Sequence, residues 1–156
     1  MDHVQFSAAR AVPMLMWLAL LGAAAPASAR LGGDFASVDA DSSGVRGQLI
    51  STPMLAYERH DISSGTSVIR EYLANGKVFA VSWQAPVPPD LQQLFGDYFE
   101  SFRASAAAQA HPGAHRLVRV ALPDLVVVSA GHLRAFRGKA YIPSLVPAGV
   151  NIADLP

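Results

Sequence analysis

The dipeptide Asn75-Gly76, set between two runs rich in β-branched and aromatic residues, restricts the fold of this chain more than any other feature. A two-residue hairpin turn of type I′ needs positive φ at both central positions, and Asn-Gly supplies it at low steric cost. Such a turn predicts a register with Ala74 opposite Lys77, Tyr72 opposite Phe79, Arg70 opposite Val81 and Val68 opposite Trp83. One face of the hairpin then carries Val68, Arg70, Tyr72, Phe79, Val81 and Trp83. The other carries Ile69, Glu71, Leu73, Val78, Ala80 and Ser82. The first set is the more apolar and is expected to meet the core.

A further strand precedes this hairpin from Tyr57, and charge selects the turn between them. A two-residue loop of Ser64 and Gly65 would set Arg59 against Arg70 and Glu58 against Glu71, and like charges directly opposite repel. A three-residue loop of Ser63, Ser64 and Gly65, with Gly65 left-handed, instead places Glu58 opposite Arg70 and His60 opposite Val68. That register is the expectation here.

Pro86, Pro88 and Pro89 end the third strand, because proline donates nothing to a ladder. Asp90 then reads as a helix N-cap, with Gln93 completing a capping-box-like pair. Leu91, Leu94, Phe95, Tyr98, Phe99, Phe102 and Ala106 recur at helical spacing and predict one amphipathic helix over 91–108, ending before Pro112-Gly113. Gly96 within it costs about 1 kcal/mol relative to alanine, which close packing on a sheet would explain. Strand character returns over 116–122, 125–130 and 133–142, and prolines mark an irregular tail. The order β-β-β-α-β-β predicts an α+β fold: an antiparallel sheet of about five to six strands with one long amphipathic helix packed on one face.

The N-terminal residues read differently. Arg10 and the amine precede an apolar run from Ala11 to Leu21, and Ala27-Ser28-Ala29 follows. These are the three regions of a secretory signal peptide, with cleavage expected before Arg30. The apolar run is too short and interrupted for a comfortable membrane span, which takes about 20 residues. The expected organisation is a signal peptide over 1–29, an irregular lead-in over 30–56 and a single α+β domain over 57–156. Localisation is then exported, periplasmic or secreted, with no stable membrane span after cleavage.

Asp2 and Arg10 would leave together, so the rest keeps the formal net charge of +0. A neutral chain with scattered charge has no electrostatic footprint for nucleic acid. There is no cysteine, so disulfides, thiol chemistry and cysteine-ligated zinc are excluded, and the fold rests on apolar burial.

Motifs for catalysis or metal binding are weak. Asp39, Asp41, Ser43 and Gly44 imitate the start of a calcium loop, but Ile50 stands where its bidentate carboxylate belongs. His111 and His115 have a helical metal spacing, yet Pro112-Gly113 between them prevents the helix. Asp124, Ser129 and His132 lack a nucleophile elbow, and there is no P-loop or dinucleotide fingerprint. No catalytic residue, metal ligand or cofactor is assigned. The predicted registers do gather Glu58, His60, Arg70, Tyr72 and Trp83 on one face, where a cation beside aromatic rings suits a ligand patch. The plainer alternative is a salt bridge at the sheet margin, with the arginine stem lying over Trp83.

Leu31-Gly32-Gly33-Asp34-Phe35, the hairpin residues Tyr57, Gly65, Val68 to Tyr72 and Gly76 to Trp83, Pro89-Asp90-Leu91 and Gly96-Asp97-Tyr98-Phe99 form a distinctive set. With Arg134 to Tyr141 and Pro147 to Val150, they resemble a family of small exported Gram-negative bacterial proteins, domain of unknown function 2844. The resemblance implies an envelope or secreted location and supplies no catalytic residues. The expected function is a non-enzymatic binding or accessory protein of the cell envelope, its partner an envelope protein or ligand. The alternatives are an enzyme of unknown class and a protein inhibitor acting through the proline-rich loop 85–89.

Overall fold

A computed structural model describes residues 31–36, 38, 48–54, 56–109 and 117–156. The expected signal peptide, the calcium-like turn at 39–44 and the histidines at 111 and 115 lie outside these residues. Among the described residues no helix is long and apolar enough to cross a membrane.

Seven strands form one sheet: β1 (Gln48–Pro53), β2 (Glu58–Ser64), β3 (Ser67–Ala74), β4 (Lys77–Ala85), β5 (Leu117–Ala121), β6 (Val126–His132) and β7 (Ala135–Tyr141). Their spatial order is β1-β2-β3-β4-β7-β6-β5, and every neighbouring pair is antiparallel. The chain thus makes two meanders joined along β4 and β7, with the helical segment crossing between them. The α+β architecture is the one predicted, with a seventh strand, β1, drawn from the stretch expected to be an irregular lead-in.

Two registers differ from expectation. Ser64 pairs with Ser67, so the β2–β3 turn is the two-residue loop Gly65-Thr66. Gly65 takes φ of 60° at the first central position, where a type II′ turn requires glycine. Glu58 therefore faces Leu73 rather than Arg70, His60 faces Glu71 rather than Val68, and Asp61 faces Arg70. The expected three-residue turn is not formed; the Gly65-Thr66 turn avoids the same like-charge contacts by setting Arg59 opposite Tyr72 and Asp61 opposite Arg70.

The Asn75-Gly76 turn forms, with positive φ at both residues and Ala74 opposite Lys77. Beyond it, however, Leu73 pairs with Val78 while Tyr72 pairs with Ala80, so Phe79 is the extra residue of a β-bulge. A single inserted residue exchanges the faces of everything after it. Arg70 now stands opposite Ser82, Glu71 opposite Val81 and Ile69 opposite Trp83. The predicted common face for Arg70, Tyr72, Val81 and Trp83 is thereby divided.

The helical run over 91–108 comes in pieces: α1 (Leu91–Phe95), a 3-10 turn (Gly96–Tyr98) and α2 (Phe99–Ala108). Asp90 caps it as predicted, its carboxylate accepting from the Gln93 amide at 3.0 Å. Gly96 has φ of 51°, so glycine is there for backbone conformation.

The helices cover one sheet face. Leu94, Phe95 and Phe102 pack with Leu73, Val78, Val81, Trp83, Val120, Val127 and Ala140 in the main core. That core also takes Leu31 and Val38, and residues 31–33 join it through bonds of Gly32 N to Val78 O (2.8 Å) and Val78 N to Gly33 O (2.9 Å). Sheet and core therefore draw on residues upstream of Tyr57. The opposite face carries a smaller core, in which Tyr72, Phe79 and Ala80 are covered by Leu155 and its neighbours from the C-terminal segment.

Candidate functional site

Strand alternation distributes the five candidate residues over both faces. Glu58, His60 and Trp83 lie toward the helix side; Arg70 and Tyr72 lie on the other. Trp83 is 3% exposed and packs against Phe95 with ring centroids 5.9 Å apart, so it belongs to the main core. His60 is fully buried, its ring edge-on to Phe35 at 5.5 Å and its Nε2 3.4 Å from the Glu58 carboxylate. Its cross-strand neighbour Glu71 is also fully buried. The shared patch expected from sequence is not formed.

The other face is where charged and polar groups converge. One lateral row reads Asp61, Arg70, Ser82, Lys139, Val128 and Arg119 from β2 across to β5. Asp61 is shared by two guanidinium groups, Arg59 at 3.1 Å and Arg70 at 3.5 Å. Next along the row, Tyr72 Oη and Ser82 Oγ lie 3.2 Å apart, and both donate to the main-chain oxygen of Pro156, at 2.6 and 3.0 Å. Lys139 Nζ donates to the carbonyls of Ile152 (2.7 Å) and Leu155 (2.6 Å). Three side-chain donors on neighbouring strands thus hold residues 152–156 against the sheet.

These contacts shift two ionisations. Burial pushes the Tyr72 phenol above its usual 10.0, against the opposing influence of the Ser82 hydrogen bond and of Arg70 and Arg59. Burial pulls the Lys139 ammonium below 10.5, against the attraction of Asp154.

Beyond that segment the face is open. A groove of about 760 Å³ runs over β6 and β7, with Ile152 and Ala153 at one side. Val126, Val128 and Ala130 of β6 form its floor and are only half-buried, whereas Val127, on the helix side, is fully buried. Arg119 on β5 and Arg137 on β7 flank this floor, because Arg119 pairs with Val128 and Ala130 pairs with Arg137. Both arginines are exposed, and no ion pair among the described residues involves either. Arg70 and Lys139 complete a cationic lining. The arrangement offers positive charge around an apolar strip, with the Ser82 hydroxyl on its lining already committed to Pro156.

Sequence reasoning included Arg70 and Tyr72 and missed Asp61, Ser82, Arg119, Arg137 and Lys139. Alternation in Leu117-Val118-Arg119-Val120-Ala121 placed Arg119 opposite in facing to Val118 and Val120, but no local signal showed β7 beside β4. Val87, 61% exposed, projects from the proline-rich loop between β4 and α1. Among the described residues no group of three or more His, Cys, Asp or Glu side chains could hold a metal ion.

Fold and site together define a small α+β protein with an open antiparallel sheet, one face helix-covered and the other grooved. The chain belongs to the family of proteins of unknown function DUF2844, whose model matches residues 27–155. Comparison with curated proteins and with solved structures returns no match for either.

Proposed function

We propose that this is an exported, non-enzymatic binding protein of the cell envelope, which holds a small anionic ligand in the groove over β6 and β7. The observation that carries the reading is the placement of Arg119 and Arg137 on either side of a half-buried strip of valine and alanine. An apolar concavity of 300–1,000 Å³ with a few convergent polar groups is the usual form of a small-ligand site. Export is supported by the N-terminal run of Arg10, the apolar stretch and Ala27-Ser28-Ala29.

The anionic naphthalene-sulfonate dye ANS tests the groove directly. The folded exported chain is expected to enhance its fluorescence saturably, and Arg119→Gln with Arg137→Gln to abolish that signal without lowering the unfolding midpoint. Equal enhancement by both proteins would remove the groove as the site. Export is checked by the intact mass of the protein recovered from periplasm or medium, which should begin at Arg30 or Leu31; retention of Met1 on a membrane fraction would oppose it.

A further inference from the structure

Resting on the groove reading, we infer that the ligand is a monomeric single-chain amphiphile, an acyl chain ending in a carboxylate. The head is bound by Arg119 and Arg137 over Ala130 and Val128, and the chain lies on Val126 toward Ile152.

The geometry of charge sets the head position. Arg119 and Arg137 stand on strands either side of β6, opposite Val128 and Ala130, which two strand spacings and a two-residue stagger put about 12 Å apart along the backbone. Two arginine side chains leaning inward from that separation can meet one carboxylate between them, and a guanidinium pairs a carboxylate through two parallel charge-assisted hydrogen bonds. The other cations of this face are engaged already: Arg59 and Arg70 by Asp61, and Lys139 by two carbonyls. Among the described residues, the cations of this face left for a ligand are thus Arg119 and Arg137, beside Ala130 and Val128.

The floor sets the rest of the ligand. From Ala130, between Leu117 and Arg137, the β6 side chains on this face continue as Val128 and Val126. Val126 lies between Ala121 and Tyr141, and Ile152 and Ala153 form the adjoining wall. Val128 lies between Arg119 and Lys139, so the floor turns apolar at Val126, and a ligand that is charged throughout would desolvate its far end there without compensation. An apolar tail with one charged end matches both halves. The cavity's size suits a small molecule held within it, and nothing in the groove requires a membrane surface beneath it.

Isothermal titration of the exported chain with decanoate, decanol and acetate, all below micellar concentration, separates head from tail. Decanoate is expected to bind roughly tenfold more tightly than decanol, and acetate far more weakly than either. In Arg119→Gln with Arg137→Gln, decanoate should fall to the level of decanol while decanol is unchanged. Val128→Trp, which fills the floor, should weaken both. Equal wild-type affinities for decanoate and decanol would overturn the inference, as would acetate or inorganic phosphate matching decanoate. Tighter association with phosphatidylglycerol vesicles than with decanoate, or preference for an acidic peptide, would equally overturn it. Because ANS binding is measured separately, a chain that binds the dye in the groove but not decanoate loses only the acyl ligand. One that binds neither loses the groove reading as well.

Discussion

Gly138 and Trp83 are direct partners across β4 and β7, and the indole lies so low over the glycine that a β-carbon there would sit 2.2 Å from Trp83 Cζ2. The ring cannot withdraw cheaply, because it is packed against Phe95 in the main core. Gly138→Ala should therefore destabilise the fold by about 1–3 kcal/mol through overpacking. Urea denaturation followed by tryptophan fluorescence measures both the loss and the displacement of Trp83. An unchanged midpoint would mean that the indole does not rest on Gly138.

The helical stripe divides into residues that hold the core and residues that border it. Phe95 is fully buried and meets Phe102 edge-on at 5.0 Å, while Phe99 is only half-buried. Phe95→Ala should cost about 3–5 kcal/mol, and Phe99→Ala clearly less. Thermal unfolding of the two variants side by side decides it; a larger loss for Phe99 would place the stripe wrongly.

Asp61 links β2 to β3 electrostatically where Glu58 was expected to. A double-mutant cycle of Asp61→Asn with Arg70→Gln should show coupling of about 0.2–1 kcal/mol, given that both side chains are partly exposed. The same cycle with Glu58→Gln should show none, since Glu58 faces Leu73. Coupling between Glu58 and Arg70 would restore the three-residue turn at Gly65.

Tyr72 should make the protein sensitive to alkali. Its folded pKa is raised above 10.0, so the folded state holds the phenolic proton more tightly than the unfolded chain does. That stability is fully present below about pH 10 and is lost as pH climbs through the folded value. Lys139, lowered below 10.5, works in the opposite direction over the same range, since its folded form gives up the proton first. Tyr72→Phe should cost about 1–3 kcal/mol at neutral pH by leaving Pro156 one donor short, and should flatten the alkaline decline. Unfolding midpoints from about pH 8 to about pH 12 test this, and an equally steep decline in the variant would exclude Tyr72 as its source.

Much of the architecture was written locally. Asn75-Gly76 announced its turn because only a few residues accept positive φ twice in succession, and Asp90 with the apolar stripe announced the helix. The bulge at Phe79 was not legible: Val78, Phe79, Ala80 and Val81 fit a regular strand equally well, and only the packing of Phe79 and Ala80 together with Tyr72 and Leu155 requires the extra residue. That one residue moved Arg70 and Tyr72 away from Trp83. The groove was hidden for a different reason. Arg119 and Arg137 face one floor through the registers of β5–β6 and β6–β7, which the turns after 121 and 132 do not announce, and Arg70 joins their face only because β7 pairs with β4.

The strand order also governs how the molecule assembles. Six of the strand pairings lie within the described sheet, and only β4–β7 joins residues that are not consecutive elements. Each meander can zip from its own short turns, whereas the seam must close a loop containing the helices, β5 and β6, at an entropic cost that short hairpins escape. The seam is accordingly expected to set the folding rate: Ala140→Gly, opposite Val81, should slow refolding, while Ile62→Val in the first meander should act chiefly on unfolding. Stopped-flow measurements showing the reverse would place the nucleus in the hairpins. With the seam as the final closure, Arg137 and Lys139 reach the neighbourhood of Arg70 only when folding is complete, so the two halves of the cationic lining meet in the native state and in no earlier one.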